Sequence, residues 1–254
     1  MKSISIVTPT LGKSIQLLAS IISALEKGFI NFKLQLVLII DIEEQKLSNK
    51  FLENIYKLRS ISKDNKCFLF NEIFTNKPLS GPGFGRNLGI EFCECDYIHF
   101  CDDDDILYLD NYKFINKFKS EQDIILMEFL DSTKVMNNKM LFDNVDTFSK
   151  LNSKEFLSIL EEKKFMPVQT QQFLFKKIFL HKKQIRFPNT HLIEDFIFNL
   201  ISINSAKDFI LINKAIYFYQ NQLSSTKSLS TKERAYDYLI GLNFLIKNLS
   251  KKIK

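Results

Sequence analysis

Four consecutive carboxylates, Asp102 to Asp105, directly follow an apolar stretch that runs from Tyr97 to Cys101. The apolar stretch predicts a buried strand, so the acids are expected at its carboxyl end, where open α/β sheets bind ligands. Adjacent negative charges repel one another unless a cation lies among them. Oxygen ligands suit a hard divalent cation, Mg²⁺ or Mn²⁺, with open positions for phosphate oxygens. The alternative interpretation is a solvated acidic turn, which the preceding strand disfavours.

Length and composition bound the class of protein. A chain of 254 residues that is 45% hydrophobic is long enough for one large α/β domain. No apolar run approaches the roughly 18 residues that span a bilayer, and the first residues lack the apolar core of a signal peptide. A cytoplasmic location is therefore expected, with peripheral contact at the inner face of the cytoplasmic membrane as an option.

The charge balance weakly favours an anionic partner. The net charge is +6, and it comes from scattered lysines and from the basic end, residues 247–254, without an arginine-rich module. No nucleic acid is expected as a partner. The basic end is interpreted either as peripheral membrane contact or as a frayed terminus.

The four cysteines do not have the spacing of a zinc site. Cys93 and Cys95 are separated by one residue, and Cys101 lies in the apolar strand. Together with Cys67 they are expected to be reduced structural thiols.

Two further strands are expected to end at the same edge as the acids. Ser3 to Val7 predicts a first strand that stops before Pro9, because proline cannot continue a central ladder. A helix from Ser14 to Gly28 leads to a second strand that is apolar at nearly every residue and ends at Asp41. A right-handed crossover between parallel strands places both strand ends at one edge.

A glycine-rich stretch, residues 79–90, holds four of the seven glycines. Such crowding predicts a loop, with Arg86 at the start of the following helix. There the guanidinium is expected to meet phosphate, or to pair with Asp102 or Asp104; the two roles are compatible.

The boundary between two halves is drawn at residues 130 and 131, within one continuous domain. Ser153 is expected to cap a helix. The other predicted helices are at 47–58, 112–118, 153–160, 178–183 and 234–249. The other predicted strands are at 67–70, 123–130, 169–175, 209–212 and 215–219, the last two at a sheet edge. Residues 131–146 are expected to form a loop or an irregular hairpin, residues 185–188 lead into a loop, and residues 222–230 form a loop.

Two acids, Glu194 and Asp195, open a predicted apolar helix. Acids in a first turn ordinarily complement the helix dipole. Facing a cleft, such a pair also serves as a general base.

In their order along the chain, these pieces resemble the GT-A nucleotide-sugar glycosyltransferases of glycosyltransferase family 2. The resemblance covers most of the chain and rests on the first strand with Pro9, on Asp41, on Gly85-Arg86-Asn87, on the strand ending in Asp102 to Asp105, and on Glu194-Asp195. It implies an α/β, Rossmann-like, mixed but mostly parallel sheet flanked by helices. Residues 1–130 would bind the nucleotide-sugar, and the smaller region 131–254 would hold the acceptor, the catalytic base and the C-terminal helix.

The resemblance also implies roles for single residues. Asp41 would accept a hydrogen bond from the base, Asp102 would approach the ribose or sugar, and Asp104 would bind the metal that bridges the diphosphate. Asp195 would be the general base, with Glu194 beside it and His191 as an extra contact. The nucleotide-binding set is Thr8, Pro9, Asp41, Arg86, Asp102 and Asp103.

The expected function is inverting, metal-dependent transfer of a sugar from a nucleotide-sugar to a glycan or lipid-linked acceptor in a bacterial surface glycan such as lipooligosaccharide or capsule. UDP is the favoured nucleotide, although the single acid in register after the second strand leaves the base open. A Mg²⁺-dependent nucleotidyltransferase is one alternative, but it predicts a lysine-bearing phosphate loop that the sequence lacks. A non-catalytic nucleotide- or glycan-binding module of the same fold is the other.

Overall fold

The computed structural model describes residues 2–28, 32–75, 81–117, 122–132, 138–220 and 230–250. Within them, nine strands form one mixed sheet in the order β3-β2-β1-β4-β8-β6-β9-β5, and β7 also pairs with β9. The strands are β1 Ile4–Thr10, β2 Leu34–Ile40, β3 Phe68–Phe74, β4 Tyr97–Phe100, β5 Ile106–Leu107, β6 Ile124–Asp131, β7 Phe148–Asn152, β8 Phe173–Lys176 and β9 Asp208–Tyr219.

Helices cover both faces of this sheet. The α-helices are α1 Gln16–Glu26, α2 Asn49–Asp64, α3 Pro82–Phe92, α4 Ser153–Glu162, α5 Lys177–Lys182, α6 Glu194–Ser205 and α7 Thr231–Ser250. Short 3-10 helices are Glu44–Lys46, Leu109–Lys117, Lys139–Phe142 and Thr170–Gln172. Apolar side chains of α1 and α2 form the core on one face, and those of α3 to α6 form the core on the other.

The first four strands of the sheet order run parallel. Every residue of β2 is buried, as expected for a strand that is covered on both faces. The remaining strands make the sheet mixed, because β8 runs antiparallel to both of its neighbours, β4 and β6. The α/β class and the mixed sheet flanked by helices are confirmed.

The expectation that the first strand stops before Pro9 is wrong. β1 continues to Thr10 and pairs with β2 over its whole length, whereas its pairing with β4 ends at Val7. The Ile4 N–H donates to the β2 side and the Val7 carbonyl accepts from the β4 side. Backbone groups alternate along a strand, so position 9 faces the β4 side beyond the last pair, where a missing N–H interrupts no ladder.

The two predicted edge strands at 209–212 and 215–219 are one strand, β9. It has β6 on one side and β5 and β7 on the other, so it is not an edge. The register with β6 shifts around Met127 and Glu128, and this bulge takes up the polar residues Asn213 and Lys214.

Two local expectations also change. The helix expected to be capped by Ser153 is capped by Asn152, whose side chain accepts from Lys154 and Glu155 in a reciprocal capping box. The strand predicted at 169–175 begins only at Phe173, and Thr170–Gln172 forms a 3-10 turn. The predicted loop at 222–230 and the last four lysine-rich residues lie almost wholly outside the described residues.

Candidate active site

The four acids lie at the carboxyl edge of the parallel strands, as the sequence predicts. β4 ends at Phe100, and Cys101 still donates its N–H to the Val7 carbonyl of β1 at 3.0 Å before the chain leaves the sheet. The Asp103 carboxylate accepts a hydrogen bond from the hydroxyl of Thr10, the last residue of β1. Asp41 follows β2 at the same edge, and its N–H donates to the Thr10 carbonyl at 2.9 Å.

One guanidinium joins this edge to the acid pair at the start of α6. Arg86 Nη2 donates to Asp102 Oδ1 at 2.8 Å, and Arg86 Nη1 donates to Asp195 Oδ1 at 2.8 Å and to Glu194 Oε1 at 3.1 Å. The Arg86 side chain is only 3% exposed. The predicted pairing with Asp102 is therefore present, and two carboxylates from 108 and 109 residues further along the chain share the same cation.

The glycine-rich stretch positions Arg86 as part of a helix, and the expectation of a loop is wrong for residues 82–90. Pro82 occupies the first turn of α3, where its missing N–H costs nothing. A Cβ on Gly89 would lie 2.3 Å from Val7 Cγ1, and a Cβ on Gly83 would lie 2.9 Å from the Pro188 carbonyl. The glycines thus let α3 approach β1 on one side and the segment before α6 on the other.

Asn87 ties that segment to α3. Its side chain donates to the Phe187 carbonyl at 3.0 Å and accepts from the Phe187 N–H at 2.8 Å. The chain then enters α6 through Ile193, a β-branched residue at φ 57° in the left-handed region. Such backbone strain persists only where surrounding contacts enforce it. Here it directly precedes Glu194 and Asp195.

The acid pair at α6 is a strongly perturbed pair. Burial raises the pKa of Glu194 above its ordinary value, and the charge of Asp195 raises it further. Burial also raises the pKa of Asp195, although the Arg86 cation opposes this. Burial alone would lower the pKa of Arg86, but its three carboxylates raise it instead. Arg86 therefore stays charged, and Glu194 and Asp195 titrate as an interacting pair whose pKa values are both raised by burial.

The acids beyond Asp102 have no cation of their own in the described parts of the chain. Burial, together with the charges of the neighbouring acids Asp104 and Asp102, raises the pKa of Asp103 to about 7. Burial and the charge of Asp102 also raise the pKa of Asp104. A bound cation would relieve this repulsion, so the donor set fits a divalent metal.

Among the residues with described coordinates, no three histidine, cysteine or carboxylate side chains lie close enough together to hold an ion. Asp104 would supply a protein ligand, and phosphate oxygens of a substrate would complete the shell, as is common for Mg²⁺.

Four residues that support the acids were not predicted. Gln171 donates to Asp102 Oδ2 at 2.6 Å, and the Tyr217 hydroxyl donates to Asp105 while it accepts from the Asp102 N–H. Buried His99 contacts the Gln171 carbonyl through Nε2 at 2.6 Å. A carbonyl only accepts, so His99 carries its proton on Nε2, and burial lowers its pKa to about 4. The fourth is Thr10.

The remaining predicted site residues differ in their burial and in their contacts. Pro9 is half-buried beside the cluster, and Asp41 Oδ1 accepts from the Thr75 hydroxyl at 2.8 Å. Thr8 is fully buried, with its hydroxyl unpaired among the described residues, so it supports the edge from beneath. His191 is exposed. All four cysteines are free thiols, with Cys93, Cys95 and Cys101 buried.

Comparison with known proteins supplies the family. Residues 5–181 match the family model described as glycosyl transferase family 2. The chain belongs to glycosyl transferase family 2. A Haemophilus influenzae protein described as an uncharacterized glycosyltransferase is 29% identical over 231 residues, which cover 89% of this chain and 78% of that protein. The present family member is accordingly a glycosyltransferase.

Solved structures show the same fold. Staphylococcus aureus TarS 1–349 in complex with UDP-GlcNAc is 18% identical with a TM-score of 0.69, over 91% of this chain and 62% of that chain. The Pyrobaculum calidifontis mannosyltransferase PcManGT, in complex with GDP-Man and Mn²⁺, is 10% identical with a TM-score of 0.55, over 96% and 64%. The family member thus spans less than two thirds of these solved chains, and the likeness confirms the GT-A fold. None of its described helices combines the length and apolarity of a membrane span.

Proposed function

We propose that this family 2 glycosyltransferase moves a sugar from a UDP-sugar to a glycan or lipid-linked acceptor, with inversion at the anomeric carbon. One observation carries the proposal: Arg86 binds the edge carboxylate Asp102 and the acid pair Glu194 and Asp195 at the same time. Since a single guanidinium spans both groups, a donor held at the sheet edge lies within reach of a base at the start of α6. Transfer to lipooligosaccharide, capsule or another bacterial surface polysaccharide is the role we assign.

Asp195 is the general base in this proposal. Its carboxylate accepts from Arg86 Nη1 at 2.8 Å, and its raised pKa makes it a stronger base than an ordinary aspartate. Its carboxylate would take the proton of the acceptor hydroxyl, and the hydroxyl oxygen would attack the anomeric carbon opposite the leaving diphosphate. Arg86 holds Asp195 in place, so positioning and electrostatics supply most of the rate.

The donor side uses the sheet edge. Asp102 accepts from the ribose or sugar hydroxyls, with Asp103 beside it and with Pro9 and Asp41 towards the base. A divalent cation, Mn²⁺ or Mg²⁺, would be held by Asp104 and would neutralise the charge that develops on the departing diphosphate. The solved TarS structures contain UDP or UDP-GlcNAc, and the mannosyltransferase contains GDP-Man and Mn²⁺, which supports a nucleotide-sugar and a divalent ion.

A nucleotide-binding experiment tests the donor site without any acceptor. The thermal transition is measured with UDP, GDP and CDP, each with and without Mn²⁺. One nucleotide, UDP, is expected to stabilise the protein only with metal, by about 2.7 kcal/mol at roughly 100 times its Kd. Asp104→Asn should abolish the shift, and exposed Asp146→Asn is the matched control. A shift that does not depend on metal, or on Asp104, contradicts the metal site.

Turnover separates the enzyme from a binding module. Release of UDP from UDP-GlcNAc, with water as a slow acceptor, is measured for the same variants and for Asp195→Asn. Asp195→Asn is expected to keep the UDP and Mn²⁺ shift but to lose about 10²- to 10⁴-fold in turnover, the usual contribution of a general base. Unchanged turnover in Asp195→Asn would contradict the assignment of the base.

A further inference from the structure

Two adjoining apolar cavities lie between α6, α7 and residues 164–169. The first has a volume of about 510 Å³ and includes Glu194 and Asp195 in its lining. The second has a volume of about 840 Å³ and extends to Asn204 and to Leu249 near the end of α7. Met166 and Phe196 line both cavities, so the two are neighbours, and together they are here called the apolar groove.

Two helical stripes build the walls of the groove. On α6 the lining residues Phe196, Leu200 and Ile203 recur at helical spacing, and on α7 Leu242 and Leu249 do the same. Gly241 lets the two helices touch, since a Cβ there would lie 2.6 Å from Ile197 Cδ1. The groove is therefore a consequence of how α7 packs on α6, and it follows α6 away from the acid pair.

α7 is also fixed to the candidate active site. The buried Asp237 carboxylate accepts from the His191 N–H at 2.8 Å and from the Leu192 N–H at 3.1 Å, directly before the acid pair. The acid end of the groove is thus held in a defined position relative to Asp195.

Large apolar side chains of the groove are open to solvent. Met166 is 62% exposed, Tyr238 and Leu242 are each 49% exposed, and Val168 is 42% exposed. Contiguous exposed apolar surface of this kind marks a binding groove, because burying it against water is favourable. Most residues of the lining are apolar, and a hydrocarbon chain needs no polar partners, whereas sugar hydroxyls do.

We propose that the apolar groove binds the hydrocarbon chain of a lipid-linked acceptor and so presents the sugar hydroxyl of that acceptor to Asp195. From Asp195 to Asn204 the groove follows nine residues of α6, roughly 14 Å, the length of a medium-length alkyl chain. Because Glu194 and Asp195 belong to the lining of the first cavity, an acceptor for the proposed reaction is favoured as the occupant over an unrelated ligand. The proposal rests on the proposed function for the role of Asp195 and narrows its acceptor to the lipid-linked class.

A fluorescent probe tests the groove independently of catalysis. Dansyl-aminoundecanoic acid is titrated into the full chain, and dodecyl maltoside below its micelle concentration and maltose serve as competitors. Saturable binding at one site, displaced by dodecyl maltoside but not by maltose, is expected. Met166→Glu and Leu242→Glu should weaken it about tenfold or more, since each places a charge against the chain. Ile178→Glu, at a position also 49% exposed but on α5, should not.

The outcomes separate the two proposals. If UDP and Mn²⁺ still shift the transition but the probe does not saturate, or binds all variants equally, the groove proposal is overturned and the proposed function stands. If the probe behaves as expected and no nucleotide binds, the proposed function fails instead. A wild-type dimer that excludes the probe and dissociates in Leu242→Glu would show a second copy in the groove, which also overturns the proposal. If a Glu variant fails to fold, Leu242→Gln is tested in its place.

Discussion

At the scale of single residues, Arg86 supplies the positive charge that lets Asp102, Glu194 and Asp195 lie close together. Three buried or half-buried carboxylates share its two terminal nitrogens. Its Cζ lies over the Phe187 ring, 5.5 Å from the ring centroid. The planar guanidinium offers a fixed fork of donors that a lysine ammonium cannot reproduce. Removal of one partner from such a cluster leaves buried charge uncompensated, which costs more than the cluster contributes when intact.

Replacement of Arg86 should therefore destabilise the fold. Arg86→Gln is expected to lower the free energy of unfolding by about 3 to 5 kcal/mol at neutral pH, and Arg86→Lys by less, because it keeps the charge. The loss should shrink as the pH falls, because Glu194 and Asp195, whose pKa values are raised by burial, then take up protons and need no cation. Urea unfolding between pH 8 and pH 5 measures both effects.

Arg59→Gln provides the matched control. Arg59 pairs with Glu72, but its side chain is 38% exposed, so its loss should cost less than about 1 kcal/mol. Equal losses for Arg59→Gln and Arg86→Gln would contradict the central role of the buried cluster.

The sequence predicts the acids far better than it predicts their supports. Asp102 to Asp105 stand out because like charges are adjacent, and Arg86 is a plausible partner for them because it is the cation of the preceding glycine-rich stretch. The contact between Arg86 and Glu194 was not predicted, since nothing in a 108-residue separation specifies a contact. Gln171 lies in a polar run and Tyr217 in an apolar strand, and no periodicity singles out either residue.

At the scale of elements, α3 shows why local propensity failed. Glycine is about 1 kcal/mol worse than alanine in a helix, so the crowded glycines of residues 81–89 predict a loop. Tertiary packing overrides that cost, because Gly83 and Gly89 occupy the two places where a Cβ would collide with neighbouring segments. Strands β2 and β4 were predictable because nearly continuous apolar runs depend on burial alone, and the start of β1 was predictable from its alternating β-branched residues.

Asn87 is expected to help hold Asp195, the proposed general base, in position relative to α3. Asn87→Ala removes both hydrogen bonds to the Phe187 backbone, which leads towards the acid pair. The free energy of unfolding is expected to fall by about 2 kcal/mol, because buried backbone groups lose their partner. Turnover should fall roughly tenfold or more as Asp195 shifts, while the UDP affinity changes little. Urea unfolding, UDP release and nucleotide titration measure the three quantities.

Asn54→Ala is the corresponding control on α2, where the exposed amide donates only to the Lys50 carbonyl of its own helix. Its stability and turnover should match the wild type. If Asn87→Ala lowers stability but leaves turnover unchanged, the link from α3 to the base is refuted and Asn87 is purely structural.

At the scale of the whole molecule, the two functional halves share one sheet and both cores. β8, from the second half, lies between β4 and β6 of the first half. The core on the α1 and α2 face contains Leu174 and Ile210 together with Ile6 and Leu36. The boundary at residues 130 and 131 therefore separates roles in the proposed reaction and cuts through a continuous packed interior.

A shared interior predicts a single cooperative unfolding transition. The chain contains no tryptophan, so Phe70→Trp on β3 and Phe165→Trp after α4 place one reporter in each half at partly buried positions. Both reporters and far-ultraviolet circular dichroism should give the same urea midpoint, and UDP with Mn²⁺ should move all three together. Separate midpoints, or a ligand shift confined to Phe70→Trp, would show that the halves fold as independent units. In that case the Arg86 contacts would be a docking interface between domains, and the base would be delivered to the donor by closure of that interface.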